Sequence, residues 1–403
     1  MAQPKIRQAS ATNRLLHWSL LKHYHEKSPG ISEELQPDAM NPGFWTPNGV
    51  NLDAGLQQRI DALFATTPAL KTVGFALVDL TKGRMQPKLA GNTNTADGAA
   101  RNLLTEQVFA ASLAKIAAMY AAFQLQYDLR EMARKDPSLT TSNALISAVM
   151  HEWLPTQSDS EPIESLPFDL KIHGRLVKRK GQKVPLTFKD WNSAHPPLPD
   201  GSPNLKSIFD VSKMPGEIAF CKSADPMTEA YHALHANAIE ALPFWERMLL
   251  MIDKSHNESA RSCILDVGYL YIASSLMQSD LFRPERGGGL WLSGSYGGGP
   301  GWISSPVPQR GSSGLKYQSS SPAAAAALMT LLAQGRLVSS AASEQMKWML
   351  SKTRNETYPN GGHCLIGSFV ENSLTDAGNT VDEAYSKVGV AAGEISDVAL
   401  IVR

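Results

Sequence analysis

Apolar residues recur at two periods along this chain, and the switches between periods mark its elements. "LDAGLQQRIDALFA" (52–65) reads as a helix, and "TVGFALVDL" (72–80) alternates as a strand does. "TKGR" then offers a turn into a second extended run, "MQPKLAGN" (85–92). In "FAASLAKIAAMYAAF" (109–123) Ala, Leu, Met and aromatic residues fall on every face, and the pattern continues from Ser112 to about Arg134. It predicts a helix buried all round. From Leu154 to about Asp225 the chain is proline-rich and irregular; within it the basic run "KIHGRLVKRKGQK" (171–183) reads as a solvated hairpin or loop. Helical texture returns at 226–255 and 258–279, and a glycine-rich loop follows at 286–302. Residues 321–350 predict two helices split by "GRLVS", and residues 383–402 predict two strands.

Strands near both ends with helices between them predict an α+β fold, with an antiparallel sheet formed by both chain ends and a helical domain between. The expected organisation is an N-terminal arm over 1–50, with one helix near Asn13–Tyr24, then a sheet domain from 51–111 plus 305–403. A mainly helical domain over 112–304 carries the proline-rich insertion at about 155–225.

Composition narrows the function. Of 403 residues, 43% are hydrophobic and 19% charged, which is ordinary for a globular protein with a sizeable core. Lys+Arg and Asp+Glu both number 38, so the basic excess of a general nucleic-acid binder is absent. Cys221, Cys263 and Cys364 are too few and too far apart for a disulfide framework or a zinc site, although one bridge is compatible with them. No run is long enough to span a membrane, and the N-terminus has no uninterrupted apolar stretch of the signal-peptide kind. As written the chain reads as cytoplasmic; a processed N-terminus would make it periplasmic or secreted.

Lys115 is the anomaly, because a buried ammonium is costly unless it is paired or used. It lies three residues after Ser112, and positions i and i+3 share a helix face. A desolvated lysine can lose its proton near neutral pH and so activate a serine, which is a poor nucleophile by itself. At a helix N-terminus, free N–H groups also favour charge on a reacting oxygen. S-x-x-K occurs three times, as Ser19/Lys22, Ser112/Lys115 and Ser313/Lys316, but only the second opens an all-apolar helix. The alternative for that pair is a lysine that snorkels to the surface.

Two further motifs follow in order. Ser255-His256-Asn257 sits between helical stretches, and Lys387-Val388-Gly389 lies on the penultimate strand. Ser202-Pro203-Asn204 also fits S-x-N, but in the proline-rich insertion. The order S-x-x-K, S-x-N, K-x-G resembles that of class A β-lactamases and penicillin-binding proteins. The likeness covers roughly residues 55–150 and 235–403. It implies that Ser112 attacks a carbonyl, that Lys115 accepts its proton, and that Ser255, aided by Lys387, relays a proton to the leaving group. It further implies that Asn257 holds the substrate amide and Lys115, and that Gly389 and Val390 line the substrate site, the Val390 N–H joining that of Ser112 in an oxyanion hole.

The chain departs from that family at three points. Val388 stands where the family has Thr or Ser, which weakens carboxylate recognition. The loop after Asn257 offers only Asp280 and Glu285 as carboxylates, and Glu285 is the candidate water base, the alternative being a surface carboxylate between two arginines. The family's last strand and C-terminal helix have no counterpart before Arg403.

The function expected is a serine acyl-hydrolase acting on an amide, ester or β-lactam carbonyl of a small-molecule or peptide-like substrate. The rivals are an acylated sensor that turns over slowly or not at all, and an efficient class A-like β-lactamase. No metal or organic cofactor is implied. His232 and His235 share a helix face without an accompanying ligand cluster, and "GSYGGGPG" lacks the strand–loop–helix setting of a phosphate loop. Trp291, Tyr296 and Trp302 are candidates for the cleft wall, against the commoner fate of core packing.

Overall fold

A computed structural model describes residues 41–96, 101–153, 170–172, 175–178, 203–292, 305, 307–310, 317–352, 371–391 and 394–402. The arm helix, Ser19/Lys22, Ser202, Tyr296, Trp302, Ser313/Lys316 and Cys364 lie outside the described residues.

Helix α1 (Ala54–Thr66) starts where Asp53 accepts the Leu56 N–H at 2.9 Å, a side-chain cap. The same carboxylate pairs with Lys88 at 2.8 Å and thereby ties α1 to strand β2 (Lys88–Gly91), the antiparallel partner of β1 (Ala76–Asp79). Lys88 is the first cause that holds the Asp53 carboxyl below its ordinary value.

Helix α2 (Lys115–Lys135), which follows the short strand β3 (Val108–Phe109), is the hub. Every residue from Ile116 to Phe123 is buried, as the all-apolar pattern requires. Helix α3 (Ser142–Trp153) follows it, and at the start of the basic run β4 (Leu170–Ile172) pairs antiparallel with β5 (Arg175–Lys178). After α4 (Pro226–Ala236), the helices α5 (Phe244–Asp253), α6 (Asn257–Val267) and α7 (Tyr269–Gln278) pack against α2. The single helical stretch expected over 258–279 is broken at Gly268, whose φ of 84° favours glycine and starts a new axis.

Residues 203–225, inside the stretch read as irregular, enter the core. Leu205, Ile208 and Phe209 are buried, and the Phe220 ring lies against Phe209 (5.4 Å), Phe244 (5.7 Å) and Phe123 (5.1 Å). Aromatic stacking of this kind gives irregular backbone a fixed place without a helix or ladder.

The chain-end strands need correction. The C-terminal hairpin β6 (Glu383–Ala391) and β7 (Glu394–Val402) forms one nine-pair antiparallel ladder. The N-terminal pair β1–β2 forms another, and among the described residues no ladder joins the two. Each hairpin satisfies its own hydrogen bonds locally; the apolar helix α8 (Pro322–Ala333) packs against both and brings them together. A separate three-stranded sheet joins Val108–Phe109, Gln318–Ser320 and Trp291–Leu292. The result is an α+β molecule of helices and small antiparallel sheets.

Beneath α2 a polar group is enclosed. Gln124 Nε2 and Tyr271 Oη donate to opposite oxygens of Asp128 at 2.9 and 2.8 Å, and burial pushes the Asp128 carboxyl up to about 7. A carboxyl whose pKa is raised on folding binds protons better in the folded state. Its stabilisation is complete below the ordinary carboxylate pKa of ~3.9 and lost as pH rises through about 7. The stability difference between wild type and Asp128→Asn, followed by urea unfolding, therefore shifts in favour of Asp128→Asn between pH 4 and pH 8. A pH-independent difference would mean that Asp128 does not titrate there.

Candidate active site

Val108–Phe109 delivers the chain into a 3-10 turn, Ala111–Ala114, which runs directly into α2. Ser112 is half-buried on this turn and Lys115 is the first residue of the α-helix. The Lys115 N–H donates back to the Ser112 carbonyl, so one tight turn separates the two side chains. Ser112 therefore sits one element earlier than expected, in the 3-10 turn and not on α2 itself.

Lys115 is fully buried and does not snorkel. Its Nζ donates to the Ser255 carbonyl and, at 2.8 Å, to Asn257 Oδ1; it lies 3.4 Å from Ser255 Oγ. Lys387, on β6 and also buried, places its Nζ 2.8 Å from the same Ser255 Oγ and 2.9 Å from the Val388 carbonyl. Residues separated in sequence by 140 and 132 positions thus converge on one hydroxyl.

Electrostatics follow from this placement. Burial first, then the Lys387 charge, lowers the Lys115 pKa to about 6. At neutral pH Lys115 is then mainly an amine with two N–H donors and one lone pair. Ser255 O and Asn257 Oδ1 each accept an N–H from Nζ, and Ser255 Oγ lies 3.4 Å away. Lys387 Nζ donates to Ser255 Oγ and so orients that hydroxyl.

The loop holding Ser255 is fixed by a cap. His256 Nδ1 accepts the Ser259 N–H at 3.2 Å at the start of α6, which requires an unprotonated Nδ1. Burial holds His256 below its ordinary pKa, in keeping with that role. Two non-glycine residues here adopt left-handed backbone, Ala111 (φ 44°) and Ser255 (φ 51°). Such residues cost roughly 1–3 kcal/mol each, and they persist where surrounding contacts dictate the geometry.

Gly389 has a packing reason to be glycine. A Cβ there would lie 2.3 Å from the Ala110 carbonyl oxygen, 2.6 Å from Ser396 Oγ and 2.7 Å from the Leu113 nitrogen. β6 therefore approaches the Ala111–Ala114 turn backbone to backbone, with Val390 the next residue along it. Gly389→Ala should destabilise the fold by about 2–3 kcal/mol, as overpacking against fixed backbone does. A urea midpoint equal to wild type would show that the hairpin can withdraw from the turn without cost.

Of the residues singled out in the sequence, Ser112, Lys115, Ser255, Asn257, Lys387 and Gly389 gather around the turn and β6. The Val390 side chain is exposed and that of Val388 is buried. Glu285 lies in the 3-10 turn Pro284–Arg286, and its side chain is outside the described part. The neighbouring Asp280 is paired with both Arg283 and Arg286 at 3.2 Å, and Arg286 also covers the Trp45 ring at 4.5 Å. Trp291 is core, packed on Phe282 with ring centroids 4.6 Å apart. Cys221 and Cys263 are free thiols. Asn204 starts a short helix and donates its N–H to the Asp266 carbonyl, in a structural role. Among the described residues no group of His, Cys, Asp and Glu could hold a metal ion, and no helix is long and apolar enough to cross a membrane.

Sequence reasoning missed Ser396 and the backbone strain at Ala111 and Ser255. Backbone sign has no sequence signature at Ala or Ser. No protein-family model matches the chain, and no curated protein or solved structure is significantly similar to it.

Proposed function

We propose that this chain is a serine acyl-hydrolase with a β-lactamase-like or penicillin-binding-protein-like site, working through an acyl-enzyme on Ser112. The observation that carries this reading is the pair of buried lysine nitrogens on either side of the Ser255 hydroxyl, with Ser112 one turn before the lysine held neutral.

In the first step the Ser112 oxygen bonds to the carbonyl carbon as its proton passes to Lys115 Nζ. The carbon–nitrogen or carbon–oxygen bond then breaks, and the leaving group takes the Ser255 proton. Ser255 is re-protonated from Lys115, which returns to the amine, while Lys387 holds the relay hydroxyl. Water hydrolyses the ester in the second half-reaction. Substrates are amides, esters or β-lactams of small-molecule or peptide-like kind, and the residues in play require no metal or organic cofactor.

The second half-reaction separates a hydrolase from an acylated sensor. Asp280 is occupied by two arginines, which leaves Glu285 as the loop's candidate for activating water. Val388 offers no hydroxyl to a substrate carboxylate. Penicillins should therefore form a long-lived Ser112 ester, and simple esters should turn over faster. Intact-mass analysis after exposure to a fluorophosphonate and to penicillin, with steady-state hydrolysis of penicillin and a nitrophenyl ester, tests both statements. Absence of any adduct would refute the nucleophile. Penicillin turnover at hundreds per second, stopped by Glu285→Gln with the ester trapped, would make the protein an efficient β-lactamase instead. Adducts without turnover of either substrate would make it a sensor.

A further inference from the structure

The geometry points to Ser396 as a positioning residue that latches the nucleophile turn in its strained form. Resting on the acyl-hydrolase reading, it adds a residue that the three motifs do not contain. Ser396 lies on β7 opposite Gly389. Its Oγ donates at 2.7 Å to the Ala110 carbonyl, two residues before Ser112.

That carbonyl belongs to the peptide that enters Ala111, the residue at φ 44°. The Ala110 peptide units are held at several points. The Ala110 N–H donates to the Gln318 carbonyl at 3.1 Å, and its carbonyl also accepts the Leu113 N–H at 3.0 Å. Gly389 closes the approach, since any Cβ would strike the same carbonyl oxygen. Left to itself an alanine prefers negative φ by roughly 1–2 kcal/mol, so the turn is expected to relax when an anchor is lost. The β6–β7 ladder is made of nine pairs held by backbone hydrogen bonds, to which the Ser396 hydroxyl adds a single contact, 3.5 Å from the Gly389 carbonyl. Removing that hydroxyl should therefore leave the hairpin formed and release the turn.

The test uses the full chain with Ser396→Ala, Ser396→Thr and Ser396→Ala combined with Ala111→Gly. Three quantities are read: the limiting rate and the apparent affinity of fluorophosphonate labelling at Ser112, the thermal midpoint, and the backbone coupling constant and carbon shifts of Ala111 by NMR. Ser396→Ala should lower the limiting rate by about tenfold to a hundredfold, the scale of a sub-ångström to ångström misplacement, with apparent affinity within twofold. Ser396→Thr, which keeps the hydroxyl on a strand-favouring residue, should retain most of the rate. Ala111→Gly should restore much of the loss in the Ser396→Ala background, because glycine takes positive φ without cost. A lost hydrogen bond that only weakened the fold would show no such rescue.

A Ser396→Ala rate within twofold of wild type, or a loss that tracks the thermal midpoint and is not recovered by Ala111→Gly, overturns the latch. If wild type is not labelled at Ser112, the hydrolase reading fails by itself, and the latch is judged on the NMR signature. Left-handed values of Ala111 that persist in Ser396→Ala refute it; values that move to the right-handed region support it.

Discussion

Ser112→Ala is expected to abolish covalent labelling by fluorophosphonates and β-lactams while leaving the thermal midpoint within a few degrees of wild type. Ser112 is half-buried, and its Oγ is a small part of a turn held by backbone bonds from Ala110, Leu113 and Lys115. Removing one hydroxyl from such a position changes stability little, typically within about 1 kcal/mol. Its chemical loss is expected to be total; the other hydroxyl beside Lys115 is Ser255 Oγ, 3.4 Å from Nζ, and adducts formed there would survive Ser112→Ala. Peptide mapping of the labelled wild type checks the site. Adducts that persist in Ser112→Ala, or that map to Ser19 or Ser313, would refute the assignment.

Lys115 carries the second large effect. With its pKa lowered to about 6, the amine fraction grows as pH rises through that value. Below it Lys115 is an ammonium with no lone pair and cannot take the Ser112 proton. The labelling rate should thus rise with a midpoint near 6 and level off above it, far below the ~10.4 of free lysine. The same midpoint should persist in His256→Asn, whose amide oxygen can replace the α6 cap without titrating. A midpoint that vanished with His256 would reassign the titration to the loop. Lys115→Arg should lose activity by about a thousandfold, since a guanidinium stays protonated. Lys115→Met, close in volume and without charge, controls for misfolding. Either variant retaining a tenth of wild-type activity would make Lys115 structural.

Much of the candidate site was legible in the sequence because its chemistry depends on residue types that look wrong for their surroundings. A lysine inside "AASLAKIAAMYAAF" contradicts an apolar helix, and the buried Lys115 resolves the contradiction. The helices over 54–66, 115–135, 322–333 and 340–351 and the C-terminal hairpin were likewise readable, because periodic burial writes itself into local pattern. The core role of residues 203–225 was not, since the packing of the Phe123, Phe209, Phe220 and Phe244 rings, edge-on and stacked, is a long-range match with no period.

Sequence by itself determined that a serine and a lysine three residues apart stand at the start of a buried helix, and that a serine, an asparagine and a second lysine follow in order. Only the tertiary structure decided that both lysines meet at one hydroxyl, that the chain-end strands close as separate hairpins around α8, and that Gly389 and Ser396 bear on the Ala110 carbonyl. The physical reason is that residue type and spacing encode local burial and intrinsic reactivity. Through-space quantities, the field of one lysine on another and the backbone sign at Ala111 and Ser255, exist only after distant segments have packed.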